Sequence, residues 1–257
     1  MIAHELFELL AATTWRTIDR ASGRRILFGE DAITSVNLLM LADGKNGTYA
    51  VEDTRVNEST KGCDFELWIG SSHAGWSRYA VQAKKIMSST DRYAQLKHEV
   101  GGTLQIDILE TYADLNGAAP IYCLYNHSKQ RGDWSCCLPE EQSQLGCSVT
   151  PSTVIRNAIN TKRGGKSFTE IHQDSRTVPW RCLVRCHSSG SNGCTRSICA
   201  DGSNNNVHAK LPEQLEYFTE TGKSAQLIDP GSMFSPDSFL RPQWVVVVNV
   251  QNERGVA

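Results

Sequence analysis

Apolar residues recur every three or four positions near the start of the chain, at Leu6, Leu9, Leu10, Trp15 and Ile18. That spacing predicts an amphipathic helix over residues 3–20. A second helix is predicted over GEDAITSVNLLMLADG, after the basic SGRR. Glu30 and Asp31 fall in its first turn, where acids suit the helix dipole, and Gly44 stands just past its end as a stop. TYAVEDTRV (48–56) alternates and carries β-branched residues, so it predicts a strand. KGCDFELWIGSSHAGWSRYAVQAKK (61–85) predicts two strands joined by a polar loop. Residues 91–117 predict helix with a break at Gly101-Gly102, and the apolar run PIYCLYN (120–126) predicts a buried central strand. TPSTVIRNAIN (150–160) has a Thr-Pro helix start, and QWVVVVNV (243–250) predicts a strong terminal strand. Residues 161–210 are dense in Gly, Ser, Asn and Cys and are left unassigned. No internal repeat is present. The order of elements implies an α/β architecture: a central mixed sheet flanked by helices, in one domain spanning 1–257.

Polar residues break the pattern in one place. Asp64 and Glu66 interrupt the first strand of 61–85, and Gln82 and Lys84 interrupt the second. Side chains two apart on a strand share a face. Asp64 and Glu66 therefore point one way, with Cys63, Phe65, Leu67 and Ile69 pointing the other. If the two strands pair as a hairpin, all four polar groups converge on one side of the sheet. Ionisable groups among apolar neighbours are costly unless paired or bound to a metal. Oxygen donors of this kind suit Mg²⁺ or Mn²⁺ rather than Zn²⁺, and a nearby lysine can orient a water. The plain structural alternative is a solvated strand face with Asp64 and Lys84 as a cross-strand ion pair.

Bulk properties narrow the classes. The 257 residues are enough to bury a real core. A net charge of -2 gives no global basic field, although a local basic groove is compatible with it. No apolar run approaches the ~18 residues of a membrane span, and MIAHELFELL is acidic where a signal peptide is basic. The nine cysteines, an odd number, read as buried thiols, metal ligands or reactive groups rather than a disulfide framework. A cytoplasmic protein is expected.

Asp64 followed by Gln82-Ala83-Lys84 resembles the PD-(D/E)xK nuclease superfamily, the restriction-endonuclease-like fold, over roughly residues 1–130. Residues 131–257 would then be a Cys-rich C-terminal elaboration. GCDFELWI, YAVQAKK, QIDILETYAD and PIYCLYN are also similar to a bacterial branch of that superfamily, which by analogy implies a place in phage defence. The resemblance implies a metal-dependent nuclease, with DNA as the expected substrate. Asp64 would bind Mg²⁺ or Mn²⁺ directly, and the Gln82 side chain and the Ala83 backbone carbonyl would complete its inner shell. Glu30 would match the helix-borne acid, with Glu52 as its competitor, and Lys84 would activate or orient the attacking water. Gln105 could touch substrate or a metal water, and Glu66 could be an extra ligand or a salt-bridge partner for Lys84. The family also implies a homodimer or a regulatory partner. Two departures stand out: Cys63 replaces the usual proline, and Gln82 replaces the usual acid. The alternative function is a module of the same fold that binds DNA or a protein partner without catalysis.

PWRCLVRCHSSGSNGCTRSIC holds a second constellation: Cys182, Cys186, Cys194 and Cys199, with His187. The C-x3-C and C-x4-C spacing is looser than a zinc knuckle, so structural Zn²⁺ competes with buried thiols. Cys136, Cys137 and Cys147 fit buried thiols better still. No context fixes a Cys nucleophile with His172 or His187 as base. Basic residues at Arg16, Arg20, Arg24, Arg25, Lys84, Lys85 and Lys97 could form a phosphate-binding rim.

Overall fold

The structure is a computed structural model that describes residues 2–42, 47–52, 61–136, 138–161, 165–188, 206–213, 215–216 and 241–250. Its elements run in chain order. Helix α1 (Ala3–Gly23) and helix α2 (Glu30–Leu41) precede strands β1 (Thr48–Glu52), β2 (Lys61–Ser71) and β3 (Gly75–Lys85). A small hairpin follows, β4 (Glu99–Val100) and β5 (Thr103–Leu104), then α3 (Gln105–Asn116) and β6 (Ala119–Tyr125). Next come β7 (Cys147–Pro151), α4 (Ser152–Asn160), α5 (Phe168–His172), β8 (Val178–Pro179) and α6 (Arg181–Ser188). The last are β9 (Val207–His208) and β10 (Arg241–Asn249).

The main sheet has the order β1-β10-β2-β3-β6-β7-β8, with β9 added beside the start of β3. It is mixed: β10 runs parallel to β2 and β3 parallel to β6, and the other pairs are antiparallel. Both halves of the chain build it. β10 lies between β1 and β2, and β7 and β8 extend the other side.

Helices cover both faces. The apolar stripe of α1 (Leu6, Phe7, Leu10, Ile18), the inner side of α2 (Ile33, Leu38, Leu41) and Leu183 of α6 pack on Phe65, Leu67, Ile69, Val81 and Val246. On the opposite face α3, α4 and α5 bury Ile106, Leu109, Ile155, Ile159 and Phe168 against Ala80, Tyr122 and Leu124. A smaller cluster sets Trp68, Trp76, Val245 and Val247 against Leu211 and Leu215. The α1 backbone comes so close to the turn before β7 that a Cβ on Gly146 would lie 2.1 Å from the Ala11 carbonyl oxygen. Glycine is the residue that permits this approach.

Several expectations change. The predicted helix over 91–117 is helical only from Gln105 on. Residues 94–97 form a single tight turn, and Gly101-Gly102, both at positive φ, form the tip of the β4–β5 hairpin. Glycine allows that turn, so the pair marks a hairpin tip and not a break within a helix. Leu9 is 40% exposed, off the buried stripe of α1. Helix α2 ends at Leu41, and Gly44 lies outside the described residues. Cys63 packs with the α3 side, not with Phe65, Leu67 and Ile69. The strict alternation fails where β2 parts from β3 beyond Phe65 and where its pairing with β10 shifts register, between Arg241 opposite Lys61 and Pro242 opposite Cys63. No helix among the described residues is long and apolar enough to cross a membrane.

A carboxylate-lined cleft at the fork of β2 and β3

Strands β2 and β3 pair from Ser71 and Gly75 down to Phe65 and Val81, and then part. β3 continues alone on that side while β6 accompanies it on the other as far as Lys85 and Tyr125. In a strand the N–H and C=O of one residue leave on the same side, so every second residue of β3 past the fork offers unpaired backbone groups there. Two carboxylates answer. Asp64 Oδ2 accepts the Ala83 backbone N–H at 2.7 Å, and Glu30 Oε2 accepts the Lys85 backbone N–H at 2.9 Å. Glu30 reaches this point because α2 begins there, at Gly29, which holds extended backbone.

The fork opens into a cleft of about 610 Å³. Glu30, Asp31, Thr34 and Ser35 of α2 line it with Lys61 and Asp64 of β2, and Gln82 and Lys84 of β3. Gln95, His98, Gln105, Gln243 and Trp244 complete the wall. Of the residues proposed from sequence, the structure thus brings together Glu30, Asp64, Gln82, Lys84 and Gln105. They are not a solvated strand face: Asp64, Gln82 and Lys84 are all buried. Nor are Asp64 and Lys84 an ion pair. Asp64 Oδ1 pairs with Lys61 Nζ at 2.5 Å, and Lys84 Nζ pairs with Glu30 Oε1 at 3.3 Å. The Gln82 side-chain amide donates to Asp64 Oδ2, so it presents an N–H rather than its oxygen to the carboxylate.

Burial raises the Glu30 pKa, Lys84 beside it lowers it, and the negative charge of Asp64 raises it again. Two carboxylates therefore crowd one site, and a cation between them would relieve the repulsion. The donor set fits a hard divalent cation. It consists of the carboxylates of Glu30 and Asp64, the amide oxygen of Gln82 once turned, and the Ala83 carbonyl, which leaves β3 on the fork side. Among the described residues no three or more of His, Cys, Asp and Glu group to hold a metal. Any cation here rests on two acids plus neutral oxygens.

Glu66 is not part of the cleft. It is 1% exposed, and Arg78 donates to its Oε1 from Nε at 3.0 Å and from Nη2 at 2.5 Å. Trp68 Nε1 donates to its other oxygen at 3.1 Å, and the Tyr112 hydroxyl donates to Oε1 at 2.5 Å. The salt-bridge partner is thus Arg78 and not Lys84. Register explains it: Glu66 stands opposite Ala80, which puts Arg78 on its diagonal. Burial is the largest single influence on Arg78 and opposes its charge, but Glu66, Tyr112 and Cys63 together raise the guanidinium pKa.

Of the expected basic rim only Lys84 lines the cleft. Lys61, His98, Gln95, Gln243 and Trp244 were not singled out from sequence. They come from three segments that only the folded sheet and the turn before β4 bring together. Lys61, three residues before Asp64, was the one within reach of local reasoning. The Glu52 side chain lies outside the described residues.

So do the Cys186 and His187 side chains, and Cys194, Cys199 and Cys137 entirely. Cys182 is buried in the core with its Sγ 2.7 Å from Cys136 Sγ. His172 is buried, its ring nitrogens bonded to Ser148 Oγ and to the Phe168 carbonyl, both at 2.8 Å.

No curated protein and no solved structure matches the chain. One family model does, over residues 3–253, which is nearly its whole length. The chain belongs to the family of unknown function DUF6615.

Proposed function

We propose that the cleft hydrolyses phosphodiester bonds with the help of a divalent cation, and that the protein is a nuclease acting on DNA. One observation carries the reading: two carboxylates and a lysine from three elements, Asp64 and Lys84 buried and Glu30 half-buried, meet at a sheet fork beside a cleft of about 610 Å³. The succession α2, β2, β3, α3, β6, with the acid on α2 and the Asp and Gln-Ala-Lys on the hairpin, supports a restriction-endonuclease-like core. The resemblance seen in the sequence extends this to a bacterial defence nuclease acting as a homodimer or under a regulatory partner.

Asp64, Glu30, Gln82 and the Ala83 carbonyl would hold Mg²⁺ or Mn²⁺. The ion would supply relief of the charge that builds on the phosphate during in-line attack. The rest falls to the chain's own groups. Lys84 Nζ, at the floor of the cleft, donates to a water and fixes the direction of its lone pairs. Glu30 restrains that ammonium through its ion pair. Lys61, at the rim beside Asp64, faces a phosphate oxygen with positive charge. Burial of the floor strengthens each of these interactions relative to water.

Cleavage of supercoiled plasmid tests the proposal, with Mg²⁺, Mn²⁺ or EDTA, for the wild type beside Asp64→Asn and Lys84→Ala. Nicking or linearisation that EDTA and both substitutions stop supports it. An inert wild type with both ions counts against it.

A second reading has an observation of its own. Lys61 and Lys84 already neutralise Asp64 and Glu30, and Gln82 turns its donor to Asp64. A cleft closed on itself in this way suits a module that binds DNA or a protein partner without catalysis. Such a module binds without any dependence on divalent cations.

A further inference from the structure

Among the described residues, one apolar side chain lines the cleft, and it is Trp244. The indole is half-buried: it packs against the core that holds Phe65, and what is left of its surface lines the cleft. Register fixes where it stands. β10 runs parallel to β2 with Trp244 opposite Phe65, so the indole is rooted one residue and one strand spacing, about 4.8 Å, from Asp64. The other walls are polar but poor in positive charge. Gln82, Gln95, Gln105 and Gln243 supply neutral amides, and the cations Lys61 and Lys84 each form an ion pair with a carboxylate of the same cleft. Among the described residues no arginine lines it.

A duplex is held by many Lys and Arg contacts along its phosphates. A single strand is held differently: its bases stack on aromatic rings, and polar groups meet their open edges. Size points the same way. A cleft of about 610 Å³ lies in the roughly 300–1,000 Å³ range that encloses a small ligand, so it takes a nucleotide or two and not a double helix. We infer that the cleft takes a single DNA strand, and that Trp244 is the platform on which the base next to the attacked phosphate stacks. Every base has a π face, so such a platform selects an unpaired strand without selecting a sequence. In a duplex the neighbouring base pairs cover that face. This inference rests on the nuclease reading above and names its substrate. Negative supercoiling favours strand opening, so the plasmid of that test also presents unpaired bases.

The test uses the full chain with Mn²⁺ and three substrates: a DNA oligonucleotide, the same strand annealed to its complement, and a strand of equal length built of abasic sites. Trp244→Leu keeps an apolar side chain and removes the ring face, and Trp244→Phe keeps a smaller ring. Wild type should cleave the single strand with a kcat/KM about tenfold or more above that on the duplex. Trp244→Leu should lose about tenfold in kcat/KM on the single strand, within the range for one base–aromatic stack, and Trp244→Phe less. The loss on the abasic strand should be much smaller. Equal or faster cleavage of the duplex by wild type overturns the inference and leaves the nuclease reading standing. So does a loss in Trp244→Leu that is the same on the native and abasic strands, as a merely structural role would give. Should Trp244→Leu not fold, wild type alone decides: an abasic strand cleaved about tenfold or more slowly than the native one supports the platform, and equal rates overturn it. If wild type cleaves none of the three, the nuclease reading fails and the inference falls with it.

Discussion

Asp64 Oδ2 stands in for a strand: it accepts the backbone N–H of Ala83 at 2.7 Å, where β2 has already left β3. The same carboxylate therefore has a structural duty and a proposed chemical one, and substitutions can separate them.

Asp64→Ala leaves the buried Ala83 N–H unpaired and removes the ion pair from Asp64 to Lys61. It should lower stability by about 1–3 kcal/mol, whereas Asp64→Asn keeps an oxygen for the N–H and should lose less. Both should abolish cleavage. Urea unfolding beside a plasmid assay checks this. Full activity in Asp64→Asn would remove Asp64 from the chemistry.

Lys84→Ala removes the donor at the floor of the cleft and leaves Glu30 with the Lys85 backbone N–H. Cleavage should fall by about 10²–10⁴-fold, the range for a positioned proton-transfer or orienting group. DNA binding, read by fluorescence anisotropy, should change little. Equal losses in binding and turnover would make Lys84 a phosphate contact instead.

The Glu66–Arg78 pair predicts stability without chemistry. Arg78→Ala leaves a 1%-exposed carboxylate with only the donors from Trp68 and Tyr112. It should destabilise the fold by about 3 kcal/mol or more. At low temperature the folded fraction should still cleave. Loss of activity with unchanged stability would contradict this division between Glu66 and the cleft.

Much of this division was legible along the chain, and the limits are physical. The helices α1 and α2, the hairpin and the strands β6 and β10 follow from local periodicity, because each buries a regular face. The cleft acids and Lys84 stood out because charge interrupted those faces. Two things were not local. Glu66 looked like Asp64 until register placed Arg78 on its diagonal. β10 reads as a strand from its valines, but nothing near it says that it runs parallel to β2 and separates β2 from β1. The short elements β7, β8, α5 and α6, two to eight residues long, escaped because each lies in a stretch crowded with Gly, Ser, Asn and Cys or runs straight into its neighbour, with no room for a clear period. The Gly-Gly pair was misread because glycine marks a turn and a helix break alike.

Acid should weaken the fold through His172. Full burial holds its pKa down to about 4, against 6.5 for the free side chain, while the Phe168 carbonyl pulls the other way. Between these values the unfolded chain binds a proton that the folded one refuses. The contribution is whole above about pH 6.5, is lost as pH falls toward 4, and reaches about 3 kcal/mol. Urea midpoints at pH 7 and pH 4.5 measure it, with His172→Gln losing less between the two. An equal loss in both proteins would exclude His172 as the source.

The most direct measurement is a calorimetric titration of the metal-free protein with Mn²⁺, wild type against Asp64→Asn. The fork of β2 and β3 as a cation site predicts one ion bound per chain in the wild type and none in the variant. No binding in the wild type, or the same binding in both, would contradict it.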